Sequence, residues 1–458
     1  MEPRSLEFVA QACAGELIGG GPDILVMRVS TDSRKICAGD LFVAIKGERF
    51  DGHEYIREVA AKGAAAAVVE RGRVFRSALP AIAVADTRKA LGLLAARYRK
   101  DFQIRVIAVG GSNGKTTTKE LIAAVLRQRY EIAWSEASFN NDIGVPLTLL
   151  SIESKHEAAV VEVGTNHPGE LPALVKIVQP NLGVITNIGR EHLEHFGSIE
   201  GVMEEEGWLA ELLPASGTLF LNGESPWTDK IRRRGGAKCV TVGVNRSAHW
   251  RGEFISMNDS GVRFRVSGPQ PEFDGDYEIG LLGRHQIANA LFAVAVGAEL
   301  GVDPGEARAG LAAAKPAKMR MQLFEVRGVR VLDDTYNANA DSTLAALQVL
   351  ADLPCHGRRI AVLGDMAELG PHTVEAHREV GCRAVELGVN QLIAVGDFGP
   401  VTVEAAVASG LQNAFAYRDV ASAANEIPSL LRGGDLVLLK ASRSAGLERV
   451  GERLRTEV

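Results

Sequence analysis

The densest chemistry in this chain lies in Gly111-Ser112-Asn113-Gly114-Lys115-Thr116-Thr117. An apolar, β-branched run, Arg105-Val106-Ile107-Ala108-Val109-Gly110, precedes it, and Leu121, Ile122, Val125 and Leu126 follow at helical spacing. The pattern predicts a strand, a glycine loop and a helix N-terminus. Such a junction lets the backbone approach an anion closely and points unpaired N–H groups at it. Lys115 adds a point charge for the terminal phosphates of a nucleotide, and Thr116 a hydroxyl for Mg²⁺. The full G-x-x-x-x-G-K-[ST] pattern is absent, because Val109 occupies the position of its first glycine.

Two further side chains fit the same chemistry. Glu162 closes the run Ala158-Ala159-Val160-Val161, and a carboxylate at the end of a valine-rich strand needs a cation, for which Mg²⁺ beside a nucleotide is the economical choice. His192 follows the strand expected over residues 182–188. Taken alone, Glu162 also fits a helix cap or salt bridge, and His192 a satisfied loop histidine. Near the N-terminus, Ser33 and Arg34 beside Asp32, with Lys46-Gly47-Glu48, offer hydroxyl, guanidinium and loop N–H donors suited to a phosphate or a uracil ring. Glu204-Glu205-Glu206, on a helix predicted over residues 203–209, reads most simply as a solvated face.

These groups need a scaffold. A chain of 458 residues is too long for one core and suggests about three domains. The expected boundaries are a small α/β unit at 1–85, a central nucleotide-binding unit at 86–315 with the phosphate loop, and a second doubly wound α/β unit at 316–458. Residues 86–101 read as a connecting helix, and the stretch around Pro316 as a hinge. Strands alternating with helices imply parallel sheets whose ligands gather at the carboxyl ends of the strands. A formal net charge of −6 argues against a generic nucleic-acid binder. No apolar stretch approaches a membrane span, and five scattered cysteines without C-x-x-C spacing fit a reducing, cytoplasmic setting.

The motifs together carry a resemblance that spans essentially the whole chain. Asp32-Ser33-Arg34, Asp51-Gly52-His53, the phosphate loop, Asn140-Asn141-Asp142-Ile143-Gly144-Val145-Pro146, Gly283-Arg284-His285, Asp333-Asp334-Thr335-Tyr336-Asn337-Ala338-Asn339 and Gly364-Asp365-Met366-Ala367-Glu368-Leu369-Gly370 resemble the Mur ligases. The tyrosine-bearing and methionine-bearing motifs are most similar to the branch that joins D-alanyl-D-alanine to a UDP-N-acetylmuramoyl-tripeptide. The resemblance implies a monomeric, ATP- and Mg²⁺-dependent amide ligase of peptidoglycan precursor synthesis working through an acyl phosphate. In it Lys115 stabilises the transferring phosphoryl group, Thr116 and Glu162 hold one Mg²⁺ and His192 a second. Asn289, Arg320 and Asp334 contact the nucleotide, while Ser33, Arg34, Lys46 and Gly47 hold the UDP portion.

Departures from the family pattern set further expectations. Where the family carries a carbamylated lysine at the second Mg²⁺, this chain has Glu206, so Glu206 or its neighbour Glu205 is expected to take that place. Gln286 replaces an asparagine, Ala340 a proline and Ala441 a glycine. A Mur-type ligase for another amino acid, and a nucleotide-binding relative without ligase activity, stay open as alternatives.

Overall fold

The computed structural model describes residues 1–73, 79–244 and 247–456. Among the described residues three separate sheets form, besides a two-stranded pairing near the N-terminus. The first runs Glu16–Ile18, Ala81–Val84, Ala66–Glu70, Asp40–Val43, Arg28–Ser30, parallel apart from its first pair. Asp51 caps the turn at Gly52–Tyr55 by accepting from the His53 N–H at 3.0 Å, and the helix Ile56–Ala61 follows directly.

The central sheet has nine strands. Ile132–Trp134, Ala158–Glu162, Arg105–Gly110, Leu182–Ile185, Thr218–Asn222, Lys238–Gly243 and Trp250–Asn258 are parallel; Gly261–Ser267 and Gly275–Ile279 continue antiparallel. The parallel strands read as continuous apolar runs because both faces are covered. On one face, the phosphate-loop helix Lys115–Leu126 packs against Gln286–Glu299, burying Leu121, Ile122, Val125 and Leu126 with Leu291 and Val294. Burying each such side chain contributes roughly 1.5–3 kcal/mol, which fixes this helix start relative to the sheet.

The C-terminal sheet runs Gln322–Val326, Val329–Asp334, Leu436–Lys440, Arg359–Gly364, Gln391–Val395, Ala414–Tyr417, parallel apart from its first pair. Its register places Asp334 beside Lys440 at neighbouring strand ends.

The two joints between units differ in kind. The helix Thr87–Arg99, capped by the Asp86 side chain, lies in one continuous apolar core with Leu6 and Leu41 on one side and Val106 and Leu149 on the other. Its Tyr98 hydroxyl donates to the Ile152 carbonyl at 2.6 Å. The C-terminal unit builds two apolar cores, one of which takes in Leu282 and touches Met257 of the central unit, and at the cavity it meets that unit through polar side chains: Asn339 donates to Asn113 at 2.9 Å, Arg190 pairs with Asp341 and Glu379, and the Ser138 and Tyr336 hydroxyls touch.

Three expectations are corrected. The strand expected over 182–188 ends at Ile185, because Thr186 and Asn187 leave the ladder to bond the phosphate loop. The expected single helix over 203–209 is two, Ile199–Glu206 and Trp208–Leu212, joined at Gly207. Its acidic triplet is not a solvated face: Glu204 is exposed, but Glu205 and Glu206 are buried.

Candidate active site

Strand Arg105–Gly110 lies between Ala158–Glu162 and Leu182–Ile185, so the phosphate loop emerges with a strand end on either side. From one side comes Glu162; from the other, the segment 186–192. Gly111 has a φ of 107°, and a Cβ there would lie 2.4 Å from the Thr186 hydroxyl, so only glycine fits. The Thr186 hydroxyl donates to the Asn113 carbonyl at 2.6 Å, and Asn187 accepts the Asn113 N–H on its side chain at 2.7 Å and the Ser112 N–H on its carbonyl at 3.0 Å. Gly114, at a φ of 80°, turns the chain into helix Lys115–Leu126, which has no side-chain cap. Its first-turn N–H groups therefore stand at the mouth of a cavity of about 1400 Å³ lined by Ser112, Asn113, Gly114, Lys115, Thr116 and Thr117.

Lys115 is largely buried. Its ammonium donates to the Gly111 carbonyl at 2.5 Å, the Ser112 carbonyl at 3.2 Å and Glu191 at 3.1 Å. Burial works against its charge, but Glu191 and then Glu206 more than offset this and hold its pKa above the ordinary lysine value. Lys115 is thus a fixed cation at the loop.

Glu162 carries the opposite problem. Desolvation raises its pKa, against the pull of Lys119, Lys115 and Arg320. Its Oε1 accepts from the Thr116 hydroxyl at 3.2 Å and from Asn140 at 2.9 Å, while its buried Oε2 has no hydrogen-bond partner. An unsatisfied carboxylate oxygen beside a threonine hydroxyl is a hard-donor set of the kind magnesium takes. Lys119, fully buried, donates to the Ser135 and Ala137 carbonyls at 2.8 and 2.7 Å and pins the neighbouring loop.

Around the same cavity stand the expected nucleotide contacts Asn289, Arg320 and Asp334 and the expected metal ligand His192. Asn289 accepts from the Thr118 hydroxyl at 3.1 Å and donates to Gln286 at 2.8 Å, and Gln286 meets His285 at 2.9 Å. Gln286 therefore spends its amide bracing Asn289. Arg320 donates to the Thr116 hydroxyl at 3.3 Å with its guanidinium 4.1 Å from the Tyr336 ring centroid. Asp334 pairs with Lys440 at 2.6 Å. His192 sits in the left-handed region at a φ of 47°, with Nδ1 2.6 Å from Glu368; that histidine draws the Glu368 pKa down.

The neighbouring glutamates do different things. Glu205 accepts from the Gly169 and Leu171 N–H groups at 2.9 and 2.8 Å, at the start of helix Glu170–Val178. Glu206, fully buried, accepts the Gly111 N–H at 2.7 Å and lies outside the cavity lining.

The expected UDP contacts lie apart. Ser33, Arg34, Lys46 and Gly47 do not line the large cavity, although their neighbour Glu48 does. Arg34 is engaged with Asp32 at 2.9 Å and draws that carboxyl down to about 2; Gly47 donates to the Phe50 carbonyl at 2.9 Å. Sequence reasoning missed Glu191, Arg190, Asn140, Asn187 and Lys440. Glu191 was detectable as the carboxylate beside His192, whereas Lys440 needed the strand register.

Comparison with known proteins agrees with this geometry. The Mur ligase middle domain matches residues 109–297, the glutamate ligase domain of the Mur ligases 319–443, and the Mur ligase family catalytic domain 26–99. The UDP-N-acetylmuramoyl-tripeptide–D-alanyl-D-alanine ligase of Escherichia coli K12 is 38% identical over 443 residues, 95% of each chain. Its Bacillus subtilis namesake is 34% identical over 457 residues, 98% of each. Among solved structures, MurF from Acinetobacter baumannii superposes with a TM-score of 0.90 at 31% identity over 100% of both chains. MurF from Thermotoga maritima, solved with ADP, gives 0.81 at 27% identity over 94% of this chain and 98% of that one. With its three domain matches in chain order and full-length relatives above 30% identity, this chain belongs to the Mur ligase family.

Proposed function

We propose that this protein is an ATP-dependent amide ligase that joins D-alanyl-D-alanine to the terminal carboxylate of a UDP-N-acetylmuramoyl-tripeptide in peptidoglycan precursor synthesis. One observation carries the reading: Lys115, Thr116, Glu162, His192 and Asn289 from the central unit and Arg320 and Asp334 from the C-terminal unit border one cavity. The full-length relatives of that name support the substrate assignment.

In this reading the first-turn N–H groups of residues 114–117 and Lys115 hold the ATP phosphates, with Arg320 closing over them from the C-terminal unit. Gly111, Ser112 and Asn113 shape the loop. A carboxylate oxygen of the tripeptide attacks the γ-phosphorus, the bond to the bridging oxygen breaks, and ADP departs. Lys115 neutralises charge on the transferring group. The dipeptide amine then attacks the acyl carbon, the C–O bond to phosphate breaks, inorganic phosphate leaves and the nitrogen loses its proton. Mg²⁺, held by Thr116 and the free oxygen of Glu162, would neutralise phosphate charge. For a second Mg²⁺, His192 is the candidate at the cavity; Glu206 accepts from Gly111 with Oε2, keeps Oε1 without a hydrogen-bond partner, and is outside the cavity lining.

Asp334 and Asn289 bound the nucleotide side. Ser33, Arg34, Lys46 and Gly47 form the outlying UDP grip, which positions the reacting carboxylate from a distance. We assign 1–85, 86–315 and 316–458 as the UDP-binding, ATP-binding and ligase-closing domains. We take the protein to act as a monomer, and UDP-linked substrate with ATP supports a cytoplasmic setting. Among the described residues no helix is long and apolar enough to cross a membrane, and nothing in the assignment calls for nucleic acid.

The test is to incubate purified protein with ATP, Mg²⁺, UDP-muramoyl peptides and a panel of amines, and to identify products by mass. Amide formation with D-alanyl-D-alanine and a tripeptide is expected. Product with a single amino acid instead would make it a different Mur-type ligase, and no amide with any amine would make it a nucleotide-binding relative.

A further inference from the structure

Glu206 occupies an expensive position. It is the last residue of helix Ile199–Glu206, where the helix dipole disfavours a carboxylate, and it is fully buried. A charge placed there needs a specific compensating contact. Two are present: the Gly111 N–H donates to Oε2 at 2.7 Å, and Lys115 attracts it electrostatically. The approach depends on glycine at the preceding position, since a Cβ on Gly110 would lie 2.8 Å from the same oxygen. Glu205, one residue earlier, is committed to the N–H groups of Gly169 and Leu171. The end of this one helix thus grips the phosphate loop through one side chain and the start of helix Glu170–Val178 through the other.

We infer that Glu206 is a positioning residue that sets the phosphate loop from beneath by accepting the Gly111 N–H, and that it supports nucleotide binding through the loop and not through a metal ion. Oε2 is turned to the loop backbone, Oε1 is buried without a hydrogen-bond partner, and the residue is outside the lining of the cavity where a nucleotide-bound metal would sit. Gly111, released, would be free to relax from its φ of 107° and blunt the array of N–H groups that follows. The inference rests on the reading of this loop as a nucleotide site.

ADP binding by calorimetry, in EDTA and again in Mg²⁺, separates the loop from the metal. Glu206→Ala is expected to weaken ADP roughly tenfold in both buffers, the scale of one buried hydrogen bond. Glu206→Gln keeps an oxygen acceptor for Gly111 and is expected to stay within about threefold of wild type in both. Weakening of Glu206→Ala in Mg²⁺ alone would assign the residue to a metal and overturn the inference; so would a Glu206→Gln variant as weak as Glu206→Ala. If circular dichroism finds Glu206→Ala unfolded, Mn²⁺ counted by electron paramagnetic resonance in ADP-saturated Glu206→Gln decides. An unchanged count supports the inference, and the loss of one ion overturns it. A wild type that binds no ADP would sink the nucleotide-site reading along with it, whereas a failure confined to the variants sinks this inference alone.

Discussion

Arg190→Ala should loosen the C-terminal unit from the nucleotide cavity without disturbing either unit's interior. Arg190 stands on the segment next to the phosphate loop and reaches across to two helices of the C-terminal unit: Nε donates to Asp341 at 2.7 Å, and Nη1 to Glu379 at 2.5 Å. Its own N–H also donates to Asp341 at 2.8 Å, and alanine keeps that bond. The three side chains are 27%, 34% and 39% exposed, so solvent screening brings each pair from the range of a buried charged hydrogen bond down to about 0.5–1 kcal/mol. The loss of both is about 1–2 kcal/mol, a factor of roughly 5–30 in the equilibrium between closed and open arrangements. Small-angle scattering of the apo protein should register a larger radius of gyration, and the KM for ATP should rise by a comparable factor, while the melting temperature of the separate cores changes little. A variant with the wild-type scattering profile and unchanged KM would refute the idea that these pairs hold the units together.

Other expectations follow from the same geometry. Lys115→Met should lower kcat about 10²–10³-fold, the usual cost of losing one group that stabilises transferring charge; phosphate release at saturating substrate measures it, and a drop below fivefold would remove Lys115 from phosphoryl transfer. Burial holds the Glu206 carboxyl up at about 8 despite the pull of Lys115. Because this exceeds the ordinary 4.5, the folded protein binds the extra proton between these values, and this residue's contribution to stability falls as pH rises through that window. Glu206→Gln should therefore melt higher than wild type at pH 8 and equal to it near pH 5, and an equal difference at both would refute this. Ser33→Ala and Arg34→Ala should each raise the KM for the UDP-linked substrate roughly tenfold with the KM for ATP unchanged; an unchanged KM for the UDP substrate would move its binding elsewhere.

Much of this was legible in the sequence, for identifiable reasons. The strand, glycine loop and helix of the phosphate site and the connecting helix within 86–101 fell where expected, because glycine punctuation and apolar periodicity act locally. Glu162 was readable because a carboxylate closing a valine run has few satisfactory fates. What escaped depended on partners far along the chain. Glu205 and Glu206 looked solvated beside Glu204, and only the fold sets them against the start of helix Glu170–Val178 and against Gly111. Lys440 met Asp334 through strand register, and Arg190 found its carboxylates on helices more than a hundred residues away in sequence. The contrast between an apolar joint at helix Thr87–Arg99 and a polar joint at the cavity likewise exists only once the sheets are assembled.

The central claim, that a carboxylate is activated by ATP and then taken by an amine, is tested most directly by oxygen transfer. UDP-muramoyl-tripeptide labelled with ¹⁸O in its terminal carboxylate is incubated with the protein, ATP, Mg²⁺ and D-alanyl-D-alanine, and the released phosphate is analysed by mass. Because the acyl phosphate breaks at the carbon side, each phosphate should carry one carboxylate oxygen, in step with amide formation. Amide product accompanied by unlabelled phosphate would contradict the account.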